Sequence, residues 1–254
     1  MPTGPPTGPA EAACHHSDVT SNDSGAAPDT ELLTATTDLG DALRELIEAS
    51  VTTTAPAGEV AAAAELVRAA IARIGGNPRP AAQLPRLDDP SEGRRVFNPV
   101  TGIAHPLAPP LVVRKEDDGV VAEVTLGLAY EGPPTFVHGG MSALFMDQLL
   151  GSAAGAAGLW GMTAHLELDY RGPLPLQTPL VLRARVESHE GRKANISGTI
   201  ALASAPEKVL VEARGLFVMP RPEKQAAYFG SVTDASGNHA QPRRPGDATA
   251  LRLA

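Results

Sequence analysis

Residues 141–158 hold a single charged side chain, Asp147, among apolar and small residues, and a series of β-rich runs follows. A helix this apolar has to be covered over most of its surface. The runs at 162–170, 180–187, 193–203 and 209–219 are separated by Gly-Pro, His-Glu-Gly and Ala-Pro-Glu breakers. Two shorter runs, 111–114 and 120–128, flank the turn Glu116-Asp117-Asp118-Gly119 ahead of the helix. Short connections between neighbouring strands impose antiparallel pairing. One buried helix and a sheet large enough to cover it give an α+β fold, with an antiparallel sheet wrapped around a central helix.

The flanks read differently. Residues 38–50 place Leu39, Leu43, Leu46 and Ile47 on one helical stripe, and residues 60–74 repeat the device with Leu66, Val67, Ala70, Ile71 and Ile74 before Gly75-Gly76 and Pro78. A helical extension with a Pro-rich connector is therefore expected over 31–93. Residues 1–30 hold almost no large apolar side chain and are expected as a disordered tail, and 222–254 as a flexible one. No internal repeat is evident.

With 21 Lys+Arg against 29 Asp+Glu the formal net charge is −8. No general field attracts nucleic acid or an anionic membrane surface. Cys14 is the only cysteine, which leaves no internal disulfide and no zinc site built from cysteines, and suits a reducing compartment. No apolar run approaches membrane-spanning length. The start, Met-Pro-Thr-Gly-Pro-Pro, has no basic residue ahead of an apolar stretch, so a cytoplasmic location is expected.

Asp147 has Ala143, Leu144, Leu150 and Gly151 as its helical neighbours and no cation on its helix. Desolvation disfavours its charge and the nearby helix N-terminus favours it, so its proton affinity can move either way. An acid so placed also serves structurally, bonding a backbone group or facing solvent at a loop junction. Just ahead lies Phe136-Val137-His138-Gly139-Gly140, where two glycines at a helix start let backbone N–H groups approach a ligand.

His138-Gly139-Gly140 with Asp147 nine positions after the His resembles the catalytic helix of hotdog-fold acyl-CoA thioesterases, in the PaaI-like and thioesterase-superfamily-member branch. Residues 162–173, from Met162-Thr163 through Asp169-Tyr170 to Gly172-Pro173, resemble that family's next strand, and Glu190-Gly191-Arg192-Lys193 its Gly-Arg-Lys hairpin turn. The likeness spans about residues 97–220 and implies a hotdog domain over 94–221. It further implies Asp147 as base or nucleophile, Thr163 as the residue positioning water, the Gly139 N–H as oxyanion donor, and His138 shaping the loop. Gly140, Gly191, Arg192 and Lys193 would contact substrate, the two cations meeting coenzyme A phosphates. No metal or separate cofactor is implied, since coenzyme A arrives as part of the substrate.

Gly139 and Asp147 are eight residues apart, roughly 12 Å along one helix. Both cannot reach one carbonyl, so the resemblance implies a homodimer, or a tetramer of two such dimers, with Gly139 of one chain facing Asp147 of the other. Some relatives carry an Asn about six residues before the His, where this sequence has Gly132. Two other functions fit the same residues: an acyl-CoA-binding hotdog protein without turnover, and an enoyl-thioester hydratase or dehydratase. The N-terminal helices also suit a partner-docking arm. Cys14-His15-His16 lacks further metal ligands, residues 140–144 lack the second Gly of a nucleophile elbow, and His165 and His189 read as ordinary histidines.

Overall fold

The computed structural model describes Met1, Gly4 and residues 26–89 and 93–240. Six strands form one antiparallel sheet: β1 (Val113–Glu116), β2 (Gly119–Thr125), β3 (Met162–Tyr170), β4 (Pro179–Glu190), β5 (Lys193–Leu202) and β6 (Ala205–Val218). Their order across the sheet is β1-β2-β4-β5-β6-β3, so β1 and β3 are the edges. The helix α3 (Gly139–Ala156) touches all six strands, which requires the sheet to curl around it. This is the α+β hotdog arrangement expected from the sequence.

Strand periodicity decides which residues meet that helix. In β5 the inward set is Ala194, Ile196 and Ile200, and in β2 it is Val120 and Ala122, while Val121 lies on the opposite face with Val181 and Ala201. From α3 come Phe145, Met146, Leu149 and Leu150, each at most 2 % exposed. Burying such a side chain contributes ~1.5–3 kcal/mol, so this helix–sheet seam is the main source of stability. Small residues on the helix serve the same packing, with Ala153 and Ala154 buried in the core.

β6 begins at Ala205, four residues before the run expected to start at 209. Its ladder with β5 jumps from Ala201↔Val209 to Leu202↔Ala205, so Pro206 falls in an irregular stretch where no ladder hydrogen bond is needed.

The flanking segments are more structured than their composition suggests. Helix α1 (Ala26–Thr52) starts well before residue 38, because Leu33 packs against a second small cluster of Leu87, Val96 and Ala104. That cluster also ties the Pro-rich connector to the body, and Leu84 N–H donates to the Thr233 carbonyl at 2.8 Å. Helix α2 (Ala57–Ile74) has no buried residue. After β6 comes α4 (Pro222–Phe229), whose Phe229 meets Trp160 edge-on at 6.1 Å, so the segment expected as flexible from residue 222 carries a helix. Residues 241–254 and most of 1–25, including Cys14-His15-His16, lie outside the described residues.

Candidate active site

The loop leading into α3 is pinned from both sides. Val137 N–H donates to the Leu174 carbonyl and His138 N–H to the Tyr130 carbonyl, both at 2.9 Å, while Gly132 N–H donates to Phe136 O within the loop. Thr135 holds φ 73, unusual for a β-branched residue, with its N–H on Glu131 Oε1 at 2.9 Å. His138 is the N-cap: its Nδ1 accepts the Gly140 N–H at 3.0 Å, which leaves the ring proton on Nε2.

Capping satisfies Gly140 and leaves its neighbour open. Among the described residues the Gly139 N–H has no acceptor. It stands in the first turn of α3, where the unpaired amides and the helix dipole favour negative charge. On its other side, Tyr170 Oη donates to the Gly139 carbonyl at 2.7 Å. Tyr170 closes β3, so this edge strand braces the residue carrying the free amide. Sequence reasoning placed Tyr170 only in a family pattern; its link to Gly139, 31 residues away, left no local signal.

Two turns further along α3, Asp147 is half-buried and its Oδ1 accepts the Thr163 hydroxyl at 2.8 Å. A bulge helps to aim that hydroxyl. Thr163 pairs with Phe217 and His165 with Leu216, leaving Ala164 as the extra residue and bending the end of β3 beside the helix. An acid with a hydroxyl on one oxygen keeps its other oxygen for a water or a carbonyl carbon.

Two of the expected groupings therefore form within one chain: Asp147 with Thr163, and His138 with Gly139 and Gly140. The two groupings stay roughly 12 Å apart along α3. Gly191 and Arg192 make the two-residue turn between β4 and β5, and this turn with Lys193 borders Ala154, near the opposite end of α3 from Gly139. Arg192 Nη1 donates to the Met219 carbonyl at 2.6 Å, and among the described residues neither Arg192 nor Lys193 has a carboxylate partner.

Gly132 takes the place where some relatives carry Asn. A Cβ there would lie 2.6 Å from the His138 Cα, so this loop conformation admits no side chain at that position. Among the described residues no three His, Cys, Asp or Glu side chains converge as a metal site, and no helix is long and apolar enough to cross a membrane.

Comparison with known proteins follows the same segments. Residues 135–203, from the loop before α3 to the end of β5, match the Thioesterase superfamily. The acyl-coenzyme A thioesterase THEM4 of Mus musculus is 41% identical over 99 residues, 39% of this chain and 42% of that protein. Its Xenopus laevis counterpart is 43% identical over 91 residues, 35% of this chain and 39% of that protein. The chain thus spans less than half the length of these curated relatives. A crystal structure of a thioesterase superfamily protein matches with 38% identity and a TM-score of 0.62, covering 72% of this chain and 94% of that one. The likeness holds at this identity over nearly all of a solved relative, and the chain belongs to the thioesterase superfamily.

Proposed function

We propose that this chain is an acyl-CoA thioesterase whose active site is completed across a homodimer. The observation that carries the reading is the Asp147 carboxylate held by the Thr163 hydroxyl at 2.8 Å on a helix whose Gly139 N–H has no acceptor among the described residues. The relatives named as acyl-coenzyme A thioesterases support the substrate class.

In this mechanism Asp147 takes a proton from water as a new C–O bond forms between that water and the thioester carbon; in the direct alternative the Asp147 oxygen forms the bond, and water hydrolyses the resulting mixed anhydride after the thiolate has left. General-base assistance of this kind contributes ~10²–10⁴-fold. Charge gathers on the carbonyl oxygen, where the partner subunit's Gly139 N–H receives it; one such donor is worth on the order of 10²–10³-fold. The C–S bond then breaks, the coenzyme A thiolate leaves and is protonated, and the free acid departs. Thr163 fixes the rotamer of Asp147, and His138 holds the helix start. Gly140 borders the carbonyl site, and Arg192 and Lys193 on the Gly191 turn meet phosphates of coenzyme A. No metal or separate cofactor enters this scheme.

The dimer follows from distance, since amide and acid of one chain lie too far apart to share a carbonyl, and antiparallel α3 helices about a two-fold axis bring each to the other's partner. The exposed edge strand β3, beside α3, supplies an unpaired rim for that contact. The same reading assigns the catalytic domain to residues 94–221, places the protein in the cytoplasm and allows two dimers to associate.

Free-thiol release from a panel of acyl-CoAs tests this. Wild type is expected to turn over at least one ester, and Asp147→Asn to lose about 100-fold or more. No release by wild type, or equal release by Asp147→Asn, overturns the proposal.

A further inference from the structure

Helix α1 reaches the segment that builds the oxyanion loop through one side chain. Glu48 Oε1 accepts the Leu128 N–H and Oε2 the Ala129 N–H, both at 2.9 Å, at the start of the short 3₁₀ helix Leu128–Tyr130. These amides have no partner inside that helix, and the carboxylate satisfies both at once. Gly127 makes the approach possible, for a Cβ there would lie 2.6 Å from Glu48 Oε2.

The contact leads directly to the site. The carbonyl of Tyr130, last residue of the 3₁₀ helix, accepts the His138 N–H at 2.9 Å, and His138 caps α3 immediately before Gly139. Glu48 is thus separated from the free amide by one 3₁₀ turn and one backbone hydrogen bond. The Tyr130 ring is held separately, by its hydroxyl on the Leu107 carbonyl at 2.9 Å and edge-on against Phe145, whereas the Leu128 and Ala129 amides rest on Glu48. A cleft of about 490 Å³ opens on this seam, lined by Ile47, Glu48, Leu107, Leu126, Ala129 and Tyr130 among others. Other polar anchors of α1 go elsewhere: Arg44 donates to the Ile103 and His105 carbonyls, and Asp29 pairs with Arg86.

We infer that Glu48 is a positioning residue for the oxyanion donor, so that the N-terminal helix belongs to the construction of the active site. The inference rests on the reading of Gly139 as that donor. Without the carboxylate, the 3₁₀ helix keeps two unsatisfied amides and relaxes toward the cleft, carrying the Tyr130 carbonyl and the His138 backbone with it.

The test uses the full chain with Glu48→Ala and Glu48→Gln, the latter keeping one acceptor oxygen. Expected is a fall in kcat on the order of tenfold for Glu48→Ala, smaller for Glu48→Gln, with KM little changed. Adding Glu48→Ala to Gly139→Pro, which removes the amide itself, should cost nothing further, because both changes act on one group. Independently of turnover, amide hydrogen exchange in the peptide 128–140 should accelerate in both Glu48 variants relative to wild type. Unchanged exchange there, or a Glu48→Ala enzyme with wild-type kcat, overturns the inference. A full additive loss on Gly139→Pro also overturns it. A wild type without thioester hydrolysis defeats the thioesterase reading instead, and the exchange measurement still decides the coupling.

Discussion

Replacing Thr163 by Val keeps the β-branched shape that suits strand β3 and removes only the hydroxyl that donates to Asp147 Oδ1 at 2.8 Å. A hydrogen bond to a charged group is worth ~1.5–3 kcal/mol. Thr163 is exposed and Asp147 half-buried, so water competes for the carboxylate and the lower end of that range applies. At ~1.4 kcal/mol per factor of ten, kcat should fall about tenfold. Thr163→Ser, which restores a hydroxyl at the same reach, should recover most of it. The assay is thiol release at saturating acyl-CoA, alongside thermal melting to establish that each variant is folded. A folded Thr163→Val enzyme with wild-type kcat would refute the reasoning, because the hydroxyl would then be holding the strand rather than orienting the acid.

Other consequences follow from the same contacts. Burial raises the Tyr130 phenol from its usual 10 to about 12, with Arg44 opposing and Glu48 reinforcing the shift, so the fold favours the neutral form. Its contribution to stability is complete below pH 10 and is lost as pH rises through 12; urea midpoints should therefore fall over that window less steeply in Tyr130→Phe than in wild type, and identical slopes contradict the assignment. Leu149 is 0% exposed at the centre of the α3–sheet seam, so Leu149→Ala should lower unfolding free energy by ~2–5 kcal/mol in urea titration, and a loss below ~1 kcal/mol would show that the seam is not the core. Arg192→Ala should raise KM for acyl-CoA several-fold and leave kcat alone in steady-state assays; an unchanged KM removes the turn from the coenzyme A site.

The central domain was legible because its physics is local. A helix with a single charge over eighteen positions and runs of alternating strand residues specify both the elements and the face each one buries, and the turns at Asp117-Asp118 and Gly191-Arg192 fall where the chain composition changes. The pairing of Asp147 with Thr163 was reachable only through resemblance, because it joins a helix to an edge strand 16 residues later. What escaped the sequence depends on distant partners. The early start of α1 at Ala26 rests on Leu33 meeting a cluster built from residues 87–104, whereas Thr34, Thr36 and Thr37 argue locally against a helix. Glu48 looks like any exposed helical glutamate until the fold brings Leu128 and Ala129 to it from 80 residues away. Tyr170 reads as a strand terminus until it is seen bracing the Gly139 carbonyl.

Whether the active site is shared between subunits can be measured by mixing two inactive chains. Gly139→Pro removes the amide at the first position of α3, where helices tolerate proline and the extended His138 backbone accepts one after it. Asp147→Asn removes the carboxylate proposed as base and leaves that amide intact. Unfolded together and refolded at equal concentration, the two should form heterodimers in which one of the two sites has an unaltered acid from one chain and an unaltered amide from the other. Random pairing then returns about a quarter of wild-type thiol release from two components that have almost none alone. A refolded mixture no more active than its separate parts would contradict the account.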